Sequence, residues 1–230
     1  MTEKEILSAG LHELGLGGEE AIEKLLEFSA LLLEKNRVMN LTAVSSPREV
    51  VTRHFLDCAV LAPLLPAHAK VVDVGCGAGF PGVPLALLAD VEVLLLDSLK
   101  KRILWLQEVC ETLPIPNASA VHARAEEFGH REGFDVAVSR AVARLNVLAE
   151  LSIPLVRVGG QFLAMKADDC MEEVGEARAA IAQLGGEIEE VRAYTVPQSG
   201  LARRLVVVRK VSETPARFPR RFAKISAKPL

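Results

Sequence analysis

Three glycines at alternate positions, Gly75, Gly77 and Gly79, follow a short apolar run, Val71-Val72-Asp73-Val74. A strand that ends in such a loop lets a ligand approach bare backbone. Only glycine tolerates the positive φ and the close contact that this requires. The dinucleotide fingerprint spaces its glycines G-x-G-x-x-G and seats a pyrophosphate on a helix N-terminus. Here the spacing is G-x-G-x-G behind an acid, and position 80 is Phe80.

This form resembles motif I of the S-adenosylmethionine (SAM) methyltransferases more than an NAD site. In an open α/β sheet, ligands bind beyond the carboxyl ends of the strands, so the strand ends hold the candidate residues. The methionine part of SAM carries an ammonium and a carboxylate. Backbone N–H groups of the glycine loop suit the carboxylate. Asp73 either holds the ammonium, directly or through water, or braces the loop by bonding backbone amides. Asp97 ends the run Leu94-Leu95-Leu96-Asp97, 22 residues beyond Gly75. An acid at this offset accepts from ribose hydroxyls. Its rival role is an N-cap for the next helix, which Ser98 is expected to fill. Ala125 and Glu126, after the third strand, offer a backbone N–H and a carboxylate that can read an adenine. The alternative is a solvated acidic turn.

The methyl-transfer end is set by the fourth and fifth strands. Ser139-Arg140-Ala141 ends the fourth strand, where amino-directed nucleic-acid methyltransferases place Asn/Asp-Pro-Pro-aromatic. Arg140 is a permanent positive charge that can bind a phosphate or a base edge bidentately. Its alternative is a structural ion pair with an acid of the loop. Cys170 follows the fifth strand, but Asp168 and Asp169 beside it oppose the thiolate that a nucleophile needs. Lys166 ends that strand and is expected to face the same site and hold an anionic substrate. His54, beside Arg53, reads as a packing or hydrogen-bonding residue. The cysteines, Cys58, Cys76, Cys110 and Cys170, form no C-x-x-C pair, and the histidines show no metal spacing. No metal site or disulfide framework is expected.

The elements that must position these groups follow from periodicity. The chain has 230 residues, 50% hydrophobic and 4% aromatic, enough for one sizeable aliphatic core. Strand-like runs at 70–74, 91–96, 117–122, 134–138, 160–165, 187–194 and 203–210 alternate with helical stretches at 82–89, 99–112, 141–156 and 170–184. The pattern predicts an α/β fold with a seven-stranded, mostly parallel sheet covered by helices on both faces. The last two strands lack a helix between them and are expected to pair antiparallel at one edge. Residues 1–66 read as a helical cap, with a helix from Glu19 to Lys35 broken by Asn36-Arg37, and a second from Pro47 to Leu65. Residues 67–211 form the ligand-binding domain. Residues 212–230 read as a basic tail without assigned secondary structure.

No apolar run approaches the length of a membrane span, and the first residues lack a signal-peptide pattern. A cytoplasmic monomer is expected. The net charge of −3 conceals an asymmetry. Residues 1–35 hold eight Glu against three Lys, whereas residues 203–230 hold nine Lys or Arg against Glu213. Such polarisation suggests an anionic partner near the C-terminal end.

Several motifs then agree in order. Asn36-Arg37-Val38-Met39-Asn40-Leu41-Thr42 is similar to an N-K-x-x-N-L-T segment, and Arg53-His54-Phe55-Leu56-Asp57-Cys58 to R-H-[IF]-L-D-S. Asp73 to Pro84 resembles D-V-G-[ST]-G-[AP]-G-[FL]-P-G-[IL]-P, and Leu96 to Arg102 matches L-D-S-x-x-K-R. Arg124-Ala125-Glu126-Glu127, Ser139-Arg140-Ala141 and Met165-Lys166 follow. Over residues 20–230 the chain resembles the bacterial 16S rRNA guanine-N7 methyltransferases, the RsmG or glucose-inhibited division protein B family. The resemblance implies the class I methyltransferase fold. It also implies methyl transfer from SAM, yielding S-adenosyl-L-homocysteine, to N7 of guanosine 527 in the 530 loop of 16S rRNA. The substrate would be the RNA or the small ribosomal subunit. Gly75, Phe80, Ala125, Glu126 and Arg140 are the positions the family implies for SAM contact. Two segments depart from the family pattern. The C-terminal Ala223-Lys224-Ile225-Ser226-Ala227-Lys228-Pro229-Leu230 replaces Gly-Thr-Pro-x-Lys-Lys-Pro-Leu, and Arg203-Arg204-Leu205 replaces R-[HN]-L. Competing readings are a small-molecule methyltransferase, an NAD-dependent or non-catalytic Rossmann protein, and an RNA-binding protein with a dead site.

Overall fold

Runs rich in Val, Leu and Ala make the inner strands, which are buried on both faces. A computed structural model describes residues 1–129, 131–140 and 143–230. It places the strands at β1 (Ala69–Val74), β2 (Val91–Asp97), β3 (Ala118–His122), β4 (Phe134–Arg140), β5 (Val156–Ala167), β6 (Gly186–Thr195) and β7 (Ala202–Lys210). They form one sheet in the order β3-β2-β1-β4-β5-β7-β6. Strands β1 to β5 pair in parallel. Strand β7 runs antiparallel to both β5 and β6. The expected antiparallel pair therefore occupies one edge, with β7 as its inner member.

Alternate residues of each strand serve opposite layers. Val71 packs with the first layer, and Val72 and Val74 with the second. The first layer is built by α1 (Glu3–Glu13), α2 (Glu19–Met39), α3 (Pro47–Val50), α4 (Leu56–Ala59), α5 (Gly82–Leu88) and α6 (Lys100–Thr112). The second holds α7 (Leu145–Ser152), α8 (Met171–Gln183) and α9 (Phe222–Ala227). No helix of the described residues is long and apolar enough to cross a membrane. The start of the helix expected at 141–156, with Ala141 of the Ser139-Arg140-Ala141 motif, lies outside the described residues.

The N-terminal third differs from its sequence reading in three ways. Helix α1 was not expected, yet Thr2 and Glu5 close a capping box at its start, and Ile6, Leu7 and Leu11 are buried. Asn36-Arg37 does not break α2, which runs on to a left-handed Asn40 at φ 49°. Asn36 instead binds forward, accepting from the Thr42 N–H at 2.9 Å and donating to the Thr42 carbonyl at 2.9 Å. The helix expected from Pro47 to Leu65 is split into α3, a π-turn at Val51–Phe55, α4 and a 3₁₀ turn at Ala62–Leu64. The wider π-turn carries Arg53 and His54.

The basic tail is a folded strap, not a solvated end. Phe218 and Ile225 are buried in the second layer. Glu150, fully buried on α7, accepts from the Arg220 backbone N–H at 2.8 Å and from its guanidinium at 2.6 Å. The strap includes α9, which sequence reading had left without secondary structure.

Candidate active site

The glycine loop behaves as its spacing requires. Gly75, Gly77 and Gly79 have φ of 74°, 58° and 96°. A Cβ on Gly79 would lie 2.9 Å from side-chain atoms of both Leu106 and Val83. The loop is held mainly by its own amides. Gly75 and Cys76 donate to the Leu96 carbonyl, Gly79 and Phe80 to the Cys76 carbonyl, and Gly77 to Asp97 Oδ2 at 3.0 Å. These N–H groups are therefore not the carboxylate cradle expected from sequence. Among the described residues, no hydrogen bond engages the Gly75 or Gly77 carbonyls, so the loop offers acceptors to a cationic group.

The two acids at the strand ends divide the roles expected of them. Asp73 is fully buried, and its Oδ2 accepts from the Gly82 N–H at 2.8 Å. It braces the turn and is not part of the cavity wall. Its Oδ1 is buried and has no partner among the described residues. Burial outweighs the Gly82 bond and raises the carboxyl to about 7. Asp97 does line the cavity. Its Oδ1 accepts from the Leu99 N–H at 2.8 Å, and its Oδ2 from Gly77 and, at 3.3 Å, from Arg102. Asp97 thus makes the turn into α6, while Leu99, not Ser98, stands at the N-cap. Ala125 and Glu126 lie on a 3₁₀ turn in the same wall, and the Ala125 N–H donates to no other group among the described residues.

The cavity of about 1320 Å³ extends across the carboxyl ends of the strands and under the cap. Arg140, at the end of β4, is fixed from several sides. Its guanidinium donates to the Arg53 carbonyl at 3.3 Å and to Asp57 Oδ2 at 3.4 Å, and lies 3.1 Å from His54 Nδ1. It also stacks on the Phe80 ring at 4.9 Å. His54 Nδ1 stands between the Arg140 guanidinium at 3.1 Å, which can only donate, and the Arg53 carbonyl at 3.0 Å, which can only accept, while Nε2 faces Thr42 Oγ1 at 2.8 Å. Burial, with the Arg140 charge as the second cause, lowers His54 to about 3. The imidazole is neutral at physiological pH. Asp57 is nearly fully buried and also accepts from the Tyr194 hydroxyl at 2.8 Å.

From sequence, Arg140 is expected to bind a phosphate or base edge, with an ion pair to an acid of its own loop as the alternative. The structure pairs it with Asp57 of the cap, so Thr42 and Asp57 join the site without a sequence-based role, while His54 is the hydrogen-bonding residue expected. The signal for them was the N-L-T and R-H-F-L-D segments, which were read only as family marks. Lys166 reaches the cavity wall but is spoken for. Its ammonium donates to the Ala143 carbonyl and to Glu173 Oε1, both at 2.7 Å, and its side chain is 8% exposed. It holds the chain entering α7 and is not free for an anion. Burial, then Glu173, raises the Cys170 thiol, and burial pushes Cys58 up to about 12. Neither is poised as a nucleophile. Among the described residues no group of three or more His, Cys, Asp or Glu side chains could hold a metal ion.

An acceptor-rich glycine loop, a carboxylate one strand over and an open amide beyond it fit a ligand with an ammonium, a diol and a purine. Solved structures share this architecture. One is M. jannaschii TYW2 in complex with AdoMet, at TM-score 0.56 and 13% identity over 67% of this chain and 75% of that one. Another is a Burkholderia thailandensis N1-methyltransferase with bound S-adenosylhomocysteine, at TM-score 0.55 and 18% identity over 81% and 90%. Fold and site together define a class I SAM-dependent methyltransferase.

Residues 21–204 match the family described as rRNA small subunit methyltransferase G. The ribosomal RNA small subunit methyltransferase G of Alkaliphilus oremlandii is 42% identical over 99% of this chain and 98% of its own length. That of Clostridium tetani is 38% identical over 98% of both. The chain belongs to the rRNA small subunit methyltransferase G family.

Proposed function

We propose that the protein transfers a methyl group to N7 of a guanine in small-subunit rRNA, with guanosine 527 of the 530 loop as the target. The observation that carries the chemistry is the state of the methyl-transfer end. His54 is neutral and both its ring nitrogens are engaged, Nδ1 by Arg140 and the Arg53 carbonyl and Nε2 by Thr42. Lys166 is tied to Glu173, and the nearby thiols are held protonated. None of these groups is set to remove a proton. Guanine N7 has a lone pair and no proton, so it needs no base, and positioning can supply much of the rate.

When bound, SAM supplies an electrophilic methyl group on a sulfonium and leaves as S-adenosyl-L-homocysteine. Its residues are assigned from the geometry above. The Gly75 and Gly77 carbonyls accept from the ammonium. Asp97 accepts from the ribose hydroxyls with the capacity its three backbone and Arg102 bonds leave. The Ala125 N–H and Glu126 carboxylate read the adenine, and Phe80 floors the site under Arg140. Arg140 directs a remaining donor to O6 of the acceptor base, which leaves the N7 lone pair free to attack the methyl group. Lys166 acts by holding the loop that enters α7. Asp73 serves as a brace behind the glycine loop.

The strap weakens one support for an RNA substrate, because Arg220 and Lys210 are engaged by Glu150 and Glu132. Family membership and the base-free site support it instead. Labelled SAM incubated with small subunits, deproteinised 16S rRNA and a panel of small metabolites tests the assignment. Label is expected in the RNA as N7-methylguanine. Label in a metabolite alone would overturn it.

A further inference from the structure

The basic groups of the cavity wall differ in how their charge is balanced. Arg53 pairs with Glu49 at 3.2 Å, Arg102 with Asp97 at 3.3 Å, Arg124 with Glu126 at 3.4 Å and Lys166 with Glu173 at 2.7 Å. Arg144 pairs with Glu176. Each has an acid of its own. Arg140 and Arg203 share a single one, Asp57, at 3.4 and 3.8 Å. Asp169 and Glu172 also line the cavity but pair with neither.

Arg203 is the looser of the two. Among the described residues its one hydrogen bond goes to its neighbour's carbonyl at 3.4 Å, and its side chain is 28% exposed. Asp57 offers the same oxygen, Oδ2, to both cations, while Tyr194 holds Oδ1. Two guanidiniums against one carboxylate therefore leave a surplus positive charge at the Asp57 cluster.

Sheet order says which anion it serves. Strand β7 is antiparallel, so Arg203 stands beside Ala167, at the carboxyl end of β5. From β1, which carries the glycine loop, β7 is three strands away, about 14 Å at roughly 4.8 Å per strand. A cofactor on the glycine loop extends over β1 and β2, toward the Asp97 side. The space over β4, β5 and β7 is left for the acceptor.

We propose that Arg203 seats a phosphodiester next to the target nucleotide, with Asp57 as the positioning residue that aims Arg203 and Arg140 together. This rests on the rRNA reading above. Arg203 contacts the backbone and Arg140 the base, so removing Arg203 weakens substrate binding more than turnover.

The test uses full-length protein and small ribosomal subunits that lack the modification, at 50–200 mM monovalent salt and fixed magnesium. Arg203→Ala is expected to raise the KM for subunits about tenfold with kcat within a few-fold. The slope of log affinity against log salt should fall by about 0.7–0.9, the signature of one lost phosphate contact. Calorimetry with SAM should be unchanged, which also reports an intact fold, and Arg203→Lys should recover the salt slope. Equal KM and salt slope in Arg203→Ala and the unaltered protein would overturn the proposal. Weakened SAM binding with normal subunit binding would overturn it too, by assigning Arg203 to the cofactor carboxylate. If the unaltered protein neither binds nor methylates subunits, the rRNA reading falls along with it.

Discussion

Replacing Asp73 with Asn should change how stability depends on pH, in a direction that can be worked out. The Asp73 carboxyl is raised from 3.8 to about 7 in the fold, chiefly by burial, and His54 is lowered from 6.5 to about 3 by burial and Arg140. Between pH 4 and 6.5 the unfolded chain carries the His54 proton but not that of Asp73. The folded chain carries the Asp73 proton but not that of His54. Asp73 contributes stability that is present at low pH and lost as pH rises toward 7. His54 does the reverse, with stability full above 6.5 and lost as pH falls toward 3. The two slopes cancel in the native protein. Asp73→Asn removes one of them and keeps the Gly82 bond. Its stability relative to wild type should rise by about 1.4 kcal/mol per pH unit, or about 3 kcal/mol from pH 4.5 to 6.5. His54→Gln should show the opposite slope. Urea unfolding at three pH values measures both, and subtracting wild type removes the background of other carboxylates. An Asp73→Asn curve parallel to wild type would mean that Asp73 is ionised in the fold. It would then be a credible partner for the ammonium of SAM, not a brace.

Glu150→Ala leaves the Arg220 guanidinium without its carboxylate. It should release the strap at a cost of about 3–5 kcal/mol in docking, seen as fast tryptic cleavage at Arg217 and Arg221 while the sheet resists. An unchanged digestion pattern would refute that. Gly79→Ala puts a Cβ against Leu106 and Val83 at a φ of 96° and should cost about 1–3 kcal/mol in stability, with SAM affinity falling alongside. Arg140→Lys keeps the charge but not the fork that spans Asp57, His54 and the Arg53 carbonyl. Single-turnover methyl transfer should drop about a hundredfold with SAM binding within a few-fold. From pH 7.5 to 9 the rate should be flat, because no base must ionise, and a titrating limb there would contradict the base-free mechanism.

The sheet was legible because buried parallel strands write themselves as short apolar runs, and all seven runs became strands. The glycine loop was legible because alternate positive φ values leave a residue type as their mark. The partners of charges were not. Asp73 and Asp97 end neighbouring strands and look alike in sequence. Asp73 packs toward Gly82, where a Cβ would lie 2.8 Å from its oxygen, and Asp97 turns to the cavity. Lys166 and Arg220 looked like free cations because Glu173 and Glu150 lie 7 and 70 residues away. His54 and Asp57 were hidden by the π-turn, whose wider winding breaks helical periodicity where the cap meets Arg140. Helix α1 had a readable signal, the Thr2–Glu5 capping box before a buried Ile6-Leu7 pair, that apolar spacing alone did not bring out.

The central claim is methylation of guanine N7 in small-subunit rRNA, and it can be read from the RNA directly. Reduction and aniline cleavage of 16S rRNA, taken from cells with and without this protein, maps N7-methylguanine at nucleotide resolution. Cleavage at guanosine 527 should be present in the first and absent in the second, and an Arg140→Ala copy should fail to restore it. Identical cleavage in both RNAs, or loss of a mark elsewhere with guanosine 527 unaffected, would contradict the account.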